Sequence, residues 1–296
     1  MFYPGNKRAR FTVLDIILIL FMIGVCIYLI YRVRVGLQYK WHWDVIPQYL
    51  FRFDEEAGQW VPNMLIQGFL TTIRLSIWSS LLALVIGVVM GLFRRSKSLY
   101  LQLLGRTYVE LIRNIPPLVM VFIFYFFLGS QITSLLGIDE FIRSASPGVK
   151  KVLGFLFAPE EQFSAFLSAL ITLALYEGAY IAEIIRAGLQ SVEKGQWEAA
   201  HSLGFSNWRM YQLVILPQAV RKILPALAGQ FISTIKDSAI VSVISIQELT
   251  FQGMELMSAT YLTFEVWITI TALYFVLTYV CSLAAGRLEK KYRSQE

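Results

Sequence analysis

Six stretches of this sequence stay apolar long enough to cross the hydrocarbon core of a bilayer as a helix, which takes about 20 residues. They cover 14–31, 65–93, 112–128, 163–187, 224–244 and 261–285. A backbone surrounded by lipid must satisfy its own hydrogen bonds, so runs of this length dictate helices. Composition agrees: 56% of the 296 residues are hydrophobic, only 16% are charged, and the mean hydropathy of +0.58 lies outside the range of soluble domains. The expected fold is therefore an all-α, multi-pass membrane protein.

The first run follows a basic cluster, Lys7-Arg8-Ala9-Arg10, as a secretion signal does. It is longer than a signal's apolar core, and Tyr31-Arg32-Val33-Arg34 stands where a small-residue cleavage site belongs, so an uncleaved anchor is expected. Six crossings return both termini to one side. Placing both in the cytoplasm puts sixteen lysines and arginines in inside segments and seven in outside ones, as the positive-inside bias requires; Arg32 and Arg34 run against the trend. The expected location is the cytoplasmic (inner) cell membrane. The net charge of +6 then reflects topology rather than nucleic-acid binding. Cys26 and Cys281 fall within spans, and His42 and His201 stand far apart, which leaves neither a disulfide framework nor a metal site. Composition shifts near residue 60. Residues 1–60 read as an anchor with a polar connector that carries Asp54-Glu55-Glu56 and Trp41, Trp43 and Trp60. Residues 61–296 read as a five-span core with a cytoplasmic loop near 190–217.

That loop has an ordered pattern: Glu198-Ala199-Ala200-His201-Ser202-Leu203-Gly204, nine residues, then Val214-Ile215-Leu216-Pro217. Glu-Ala-Ala is expected to start a short helix whose small residues allow close docking. Gly204 supplies the permissive backbone of a turn, and residues 208–216 resume a helix that Pro217 ends or bends. Two short helices joined at a glycine make a knob suited to a soluble partner.

The same spacing resembles the cytoplasmic signature of permease subunits of bacterial ATP-binding-cassette (ABC) importers, and more narrowly the polar amino acid permeases of the histidine, glutamine, glutamate and arginine type. Other stretches carry the likeness: Gly68-Phe69-Leu70-Thr71-Thr72-Ile73-Arg74-Leu75-Ser76, Glu110-Leu111-Ile112-Arg113-Asn114-Ile115-Pro116-Pro117 and Ala182-Glu183-Ile184-Ile185-Arg186-Ala187-Gly188. Gly195-Gln196-Trp197-Glu198-Ala199-Ala200, Leu216-Pro217-Gln218-Ala219 and Lys236-Asp237-Ser238 complete the series. Val214 departs from the usual isoleucine, and residues 1–60 have no counterpart in a five-span core. The resemblance implies an ABC permease fold of five helices, here with one extra N-terminal helix. It also implies a second permease subunit, identical or related, a cytoplasmic ATPase dimer and an extracytoplasmic amino acid binding protein. Glu198, Ala199, Ala200, Gly204, Leu216 and Pro217 would couple the chain to the ATPase. The sequence has no Gly-x-x-x-x-Gly-Lys-Ser/Thr phosphate loop, so ATP and magnesium belong to that partner, and this chain is expected to be a transport subunit rather than an enzyme.

Charges within the spans mark where cargo could bind. Lys236 and Asp237 sit in the fifth apolar run, where a charge costs about 2.5–3.5 kcal/mol on insertion scales and must face protein or a cavity. Gln230, Ser233, Thr234 and Asp237 follow i, i+3, i+4, i+7 and form one polar stripe, with Lys236 and Ser238 beside it. A free amino acid presents an ammonium and a carboxylate, which Asp237 and Lys236 complement. Glu177 on the fourth run and Arg113 before the third are further candidates, each with a structural alternative. Glu183 and Arg186 have the spacing of an ion pair on one helix face. Gln230 beside Asp237 favours a neutral or acidic amino acid over a strictly cationic one. Two other classes fit less well. An ion-coupled carrier working alone needs a second, related bundle half, and a membrane-embedded enzyme needs a metal cluster or a serine–histidine constellation; neither is apparent.

Overall fold

The computed structural model describes residues 12–36, 39–56 and 58–293; the basic cluster at 7–10 lies outside the described residues. The chain forms two compact units, Met1–Trp43 and Asp44–Glu296. In the first, α1 (Val13–Gly36) is an apolar helix of about 36 Å. Its first turn is closed by Asp15, whose Oδ2 accepts from the backbone N–H and the hydroxyl of Thr12, each at 2.8 Å. Beyond it the rings of Trp41 and Trp43 stack at 5.9 Å.

The second unit opens with α2 (Ile46–Leu50) and an antiparallel hairpin of β1 (Phe51–Asp54) and β2 (Gln59–Pro62), with Phe53 opposite Trp60. Asn63 ties this connector to the bundle: its Nδ2 donates to the Gln48 carbonyl at 2.7 Å and its backbone N–H to that of Leu50. Next come α3 (Met64–Phe93), amphipathic α4 (Leu99–Asn114), and a crossing helix made of α5 (Pro117–Ile123), a π-helical turn (Phe124–Gly129) and α6 (Ser130–Leu135). Short helices α7 (Ile138–Ser144) and α8 (Pro147–Leu156) lead to α9 (Phe163–Gln190). The loop contains α10 (Lys194–Ser202) and α11 (Asn207–Met210) and runs through a π-helical turn (Tyr211–Ile215) into α12 (Leu216–Asp237), then α13 (Leu249–Thr260) and α14 (Thr263–Arg293).

Among the described residues, five helices are long and apolar enough to cross a membrane: Met64–Phe93, Pro117–Leu135, Glu160–Gln190, Asn207–Ile244 and Thr263–Arg287. Three of them follow the sequence reading closely and two correct it, while the sixth expected run, 14–31, appears among the described residues only as a shorter apolar stretch, Val13–Tyr28, of α1. The run expected at 112–128 begins instead at Pro117. Proline disfavours the helical region for the residue before it, and here Ile115 and Pro116, each followed by a proline, are extended. Ile112 is apolar because it belongs to the buried face of α4, with Gly105 and Val109. The run expected at 224–244 begins at Asn207 and passes through Pro217, which neither ends nor breaks it. The wide turn just before Pro217 re-spaces the backbone hydrogen bonds, so its missing N–H is tolerated at the start of α12.

The bundle is built around α3 and α9. A Cβ at Gly87 of α3 would lie 2.4 Å from Ile181 Cγ2 of α9, and one at Gly188 of α9 would lie 2.1 Å from Ile223 Cγ1 of α12. The missing side chains allow the close backbone approach on which helices in lipid depend. At its start α3 meets α13 instead, with Gly68 against Leu249 and Gln252. The bundle therefore has a loop end, carrying α10 and α11, and a far end, carrying the hairpin and α13.

Candidate functional site

Halfway along the spans, α9 and α12 bring four polar residues together. Glu177 of α9 is fully buried, and its Oε2 accepts from Gln230 Nε2 at 2.6 Å. Oε1 has no partner in hydrogen-bond geometry, although Asp237 and Thr234 lie beside the same carboxyl. Thr234 is buried and donates to the Gln230 carbonyl at 3.0 Å. Neither Glu177 nor Asp237 has an ion pair among the described residues. The stripe read from the sequence thus faces α9, and Glu177 completes it. Ser233 is half-buried, and Ser238 is buried with its hydroxyl on the Ile235 carbonyl at 2.8 Å. Lys236 lies about 100° around the helix from Asp237 and is exposed on the flank of α12.

Arg113 is not part of this cluster. It stands nearer the loop end, its guanidinium 5.6 Å from the centre of the Tyr180 ring and 4.0 Å from Glu183. Glu183 also accepts from Arg94, just past the end of α3, and Arg186 of its own helix. The expected Glu183–Arg186 pair is present, enlarged by two arginines from other helices. Tyr180, between Glu177 and Glu183 on α9, is joined to Tyr176 through their hydroxyls at 3.1 Å.

The knob has the expected outline, with one shift. Its first helix starts at Lys194, four residues before Glu198. Glu198 and Ala199 face outward and Ala200 is buried. Gly204 has φ +72°, the left-handed region, where its backbone N–H reaches the His201 carbonyl. Leu203 beside it is 74% exposed, an apolar tip that the sequence reading passed over. Leu216 lines a wholly apolar groove of about 630 Å³ with Leu84, Ile185, Trp208 and Val220, while Pro217 is exposed.

A third polar site, at the far end, was also missed. Glu248 caps α13: it accepts from the backbone N–H groups of Thr250 (2.9 Å) and Phe251 (2.8 Å), from the Tyr274 hydroxyl of α14 (2.8 Å) and from Thr72 of α3 (3.4 Å). Burial pushes its carboxyl up to about 7, against the opposing pull of those donors. The signal available was Glu248 just ahead of an apolar helix, the pattern of an acidic N-cap.

Helices this apolar have little reason to bury acidic side chains at mid-depth unless something polar binds or passes there. The class is therefore a membrane transport subunit. Residues 83–294 match the family model described as binding-protein-dependent transport system inner membrane component, and the chain belongs to that family. One relative, the probable glutamine ABC transporter permease protein GlnM of Bacillus subtilis, is 35% identical over 77% of this chain and 93% of its own length. Another, the glutamine transport system permease protein GlnP of Escherichia coli, is 31% identical over 82% and 99%. Among solved structures, a crystal structure of an amino acid ABC transporter with histidines matches at TM-score 0.62 and 34% identity, covering 77% of this chain and 94% of that one. A chain of the inward-facing MetNI methionine ABC transporter shares the fold at TM-score 0.55 and 19% identity.

Proposed function

We propose that this chain is the permease subunit of an ATP-driven importer for polar amino acids with uncharged side chains, such as glutamine. The observation that carries the reading is the Glu177–Gln230 bond beside Asp237, buried among apolar helices with no ion pair to either carboxyl among the described residues. An uncompensated carboxylate in such surroundings is costly, and an arriving ammonium offsets that cost. Glu177 and Asp237 would hold the amino group while Gln230, Ser233, Thr234 and Ser238 supply neutral polar atoms. Lys236 would meet the carboxylate from the flank of α12 that a second permease subunit, identical or related, would cover. With that cation engaged, no second cation among the described residues acts on Glu177 or Asp237, which narrows the cargo to neutral amino acids. Both relatives described above are named for glutamine.

In this reading both termini and the knob face the cytoplasm. An ATPase dimer grips the knob around Glu198, Ala199, Ala200 and Gly204, with Leu216 and Pro217 at the root of α12. Its closure tilts the spans between outward- and inward-open forms, and an extracytoplasmic binding protein delivers the cargo. Reconstitution in proteoliposomes tests this. Labelled glutamine is expected to enter only when ATP is hydrolysed and binding protein is present, in preference to glutamate and arginine. Uptake without nucleotide would remove the reading.

A further inference from the structure

Two adjacent arginines at the loop end of α3 turn to different partners. Arg94 donates to Glu183 of α9. Arg95 places its guanidinium carbon 5.2 Å from the centre of the Trp197 ring on α10, inside the range of a cation–π contact. The half-buried indole also meets the Tyr211 ring edge-on, with centroids 5.2 Å apart and planes at 84°. Tyr211 opens the π-helical turn that leads into α12. Beside it, Gln218 of α12 donates to Gln196 of α10 at 3.2 Å. Of the nine residues of α10, Ala200 alone is buried, so the helix has little other purchase on the spans. Glu198 and Ala199, next to Trp197, stay exposed.

We propose that Trp197, clamped between Arg95 and Tyr211, is the positioning residue that turns displacement of the knob into displacement of α3 and α12. A push on α10 moves the indole against both helices at once. Because Arg95 adjoins Arg94, the same push loads the Glu183 ion cluster and, through α9, the polar site around Glu177. This rests on the reading of the chain as a permease driven by a separate ATPase.

The test uses the whole complex in proteoliposomes and compares wild type with Trp197→Ala, Trp197→Phe, Arg95→Ala, Arg95→Lys and the double alanine variant. The readout is amino acid taken up per ATP hydrolysed. Each alanine variant is expected to lower that ratio about fivefold, the size of a half-buried cation–π contact, with the ATPase still co-purifying. Trp197→Phe and Arg95→Lys keep a ring and a cation and should recover most of it. The double variant should be no worse than the poorer single. An unchanged ratio in both alanine variants, or losses that multiply in the double variant, overturns the clamp. So does loss of ATPase co-purification, which would place Trp197 in the docking surface itself. Wild-type uptake tests the transporter reading separately. If it fails, a thermal-melting cycle on the same chains decides the clamp: non-additive losses keep it and additive losses end it.

Discussion

Glu177 and Glu183 share one helix, about 9 Å apart along its axis, and the protein treats them in opposite ways. Glu183 is ringed by Arg94, Arg186 and Arg113, drawn from the ends of α3 and α4 and from its own helix. Glu177 is fully buried, takes one amide hydrogen bond from Gln230 and stands beside a second carboxyl. A carboxylate that the chain neutralises with its own cations fastens helices together. One that it buries without a cation fastens nothing of the kind, and under the function proposed above it would receive the ammonium of the cargo. Sequence position alone does not separate the two, since both follow apolar stretches of the same span; the partners supplied by α3, α4 and α12 do.

The largest effect should come from removing the site without a cation. Asp237→Ala or Glu177→Ala is expected to reduce uptake by about two orders of magnitude, the scale of losing one member of a desolvated charge pair, while the ATPase still co-purifies. Transport at the wild-type rate would take both residues out of the cargo path. Glu183→Ala should behave in the opposite manner, lowering thermal stability by about 2 kcal/mol because it strands three guanidiniums. Combining it with Arg94→Ala should cost less than the sum of the two. At the knob, Leu203→Asp is expected to weaken ATPase binding about tenfold, as loss of an apolar anchor does, with melting unchanged; equal affinity in a pull-down titration would remove Leu203 from the contact. The smallest effect concerns Glu248, a buried carboxyl that, unlike Glu177, has a full set of donors. Its pKa is raised on folding from 4.5 to about 7, so the folded state holds the proton more tightly. Its contribution to stability is complete below about 4.5 and is lost as pH climbs through about 7. The melting temperature should therefore fall by about 3 °C over that interval, and Glu248→Gln should flatten the slope.

Five of the six expected crossings were legible because apolar length is a one-dimensional property: 65–93 and 163–187 reappear almost unchanged as α3 and α9, whereas 14–31 does not return, among the described residues, as a helix long and apolar enough to cross. Errors arose where a local rule met its context. Ile112 extends an apolar run in sequence, yet the two prolines at 116 and 117 separate it from the crossing helix. Pro217 reads as a helix breaker until the π-helical turn ahead of it is seen, and no residue type announces such a turn. The polar stripe on α12 was legible from spacing, because Gln230, Thr234 and Asp237 keep helical period. Its pairing with Glu177 was left open, since which face of α9 meets which face of α12 depends on the close approach at Gly188. Glu248 and Leu203 were overlooked for a related reason: an acidic cap and an exposed leucine are both ordinary residues until tertiary neighbours give them a role.

The wide turn at Tyr211–Ile215 has a mechanical consequence. It inserts an extra residue into the backbone winding, and every side chain downstream is rotated relative to an unbroken α-helix. Trimming one residue there would turn α12 by about 100°, carrying Asp237 away from Glu177 and swinging another face toward α9. The short helix Lys194–Ser202 and Asp237 lie on opposite sides of that insertion in the chain, so the relative phase of the two is set by the length of this five-residue turn.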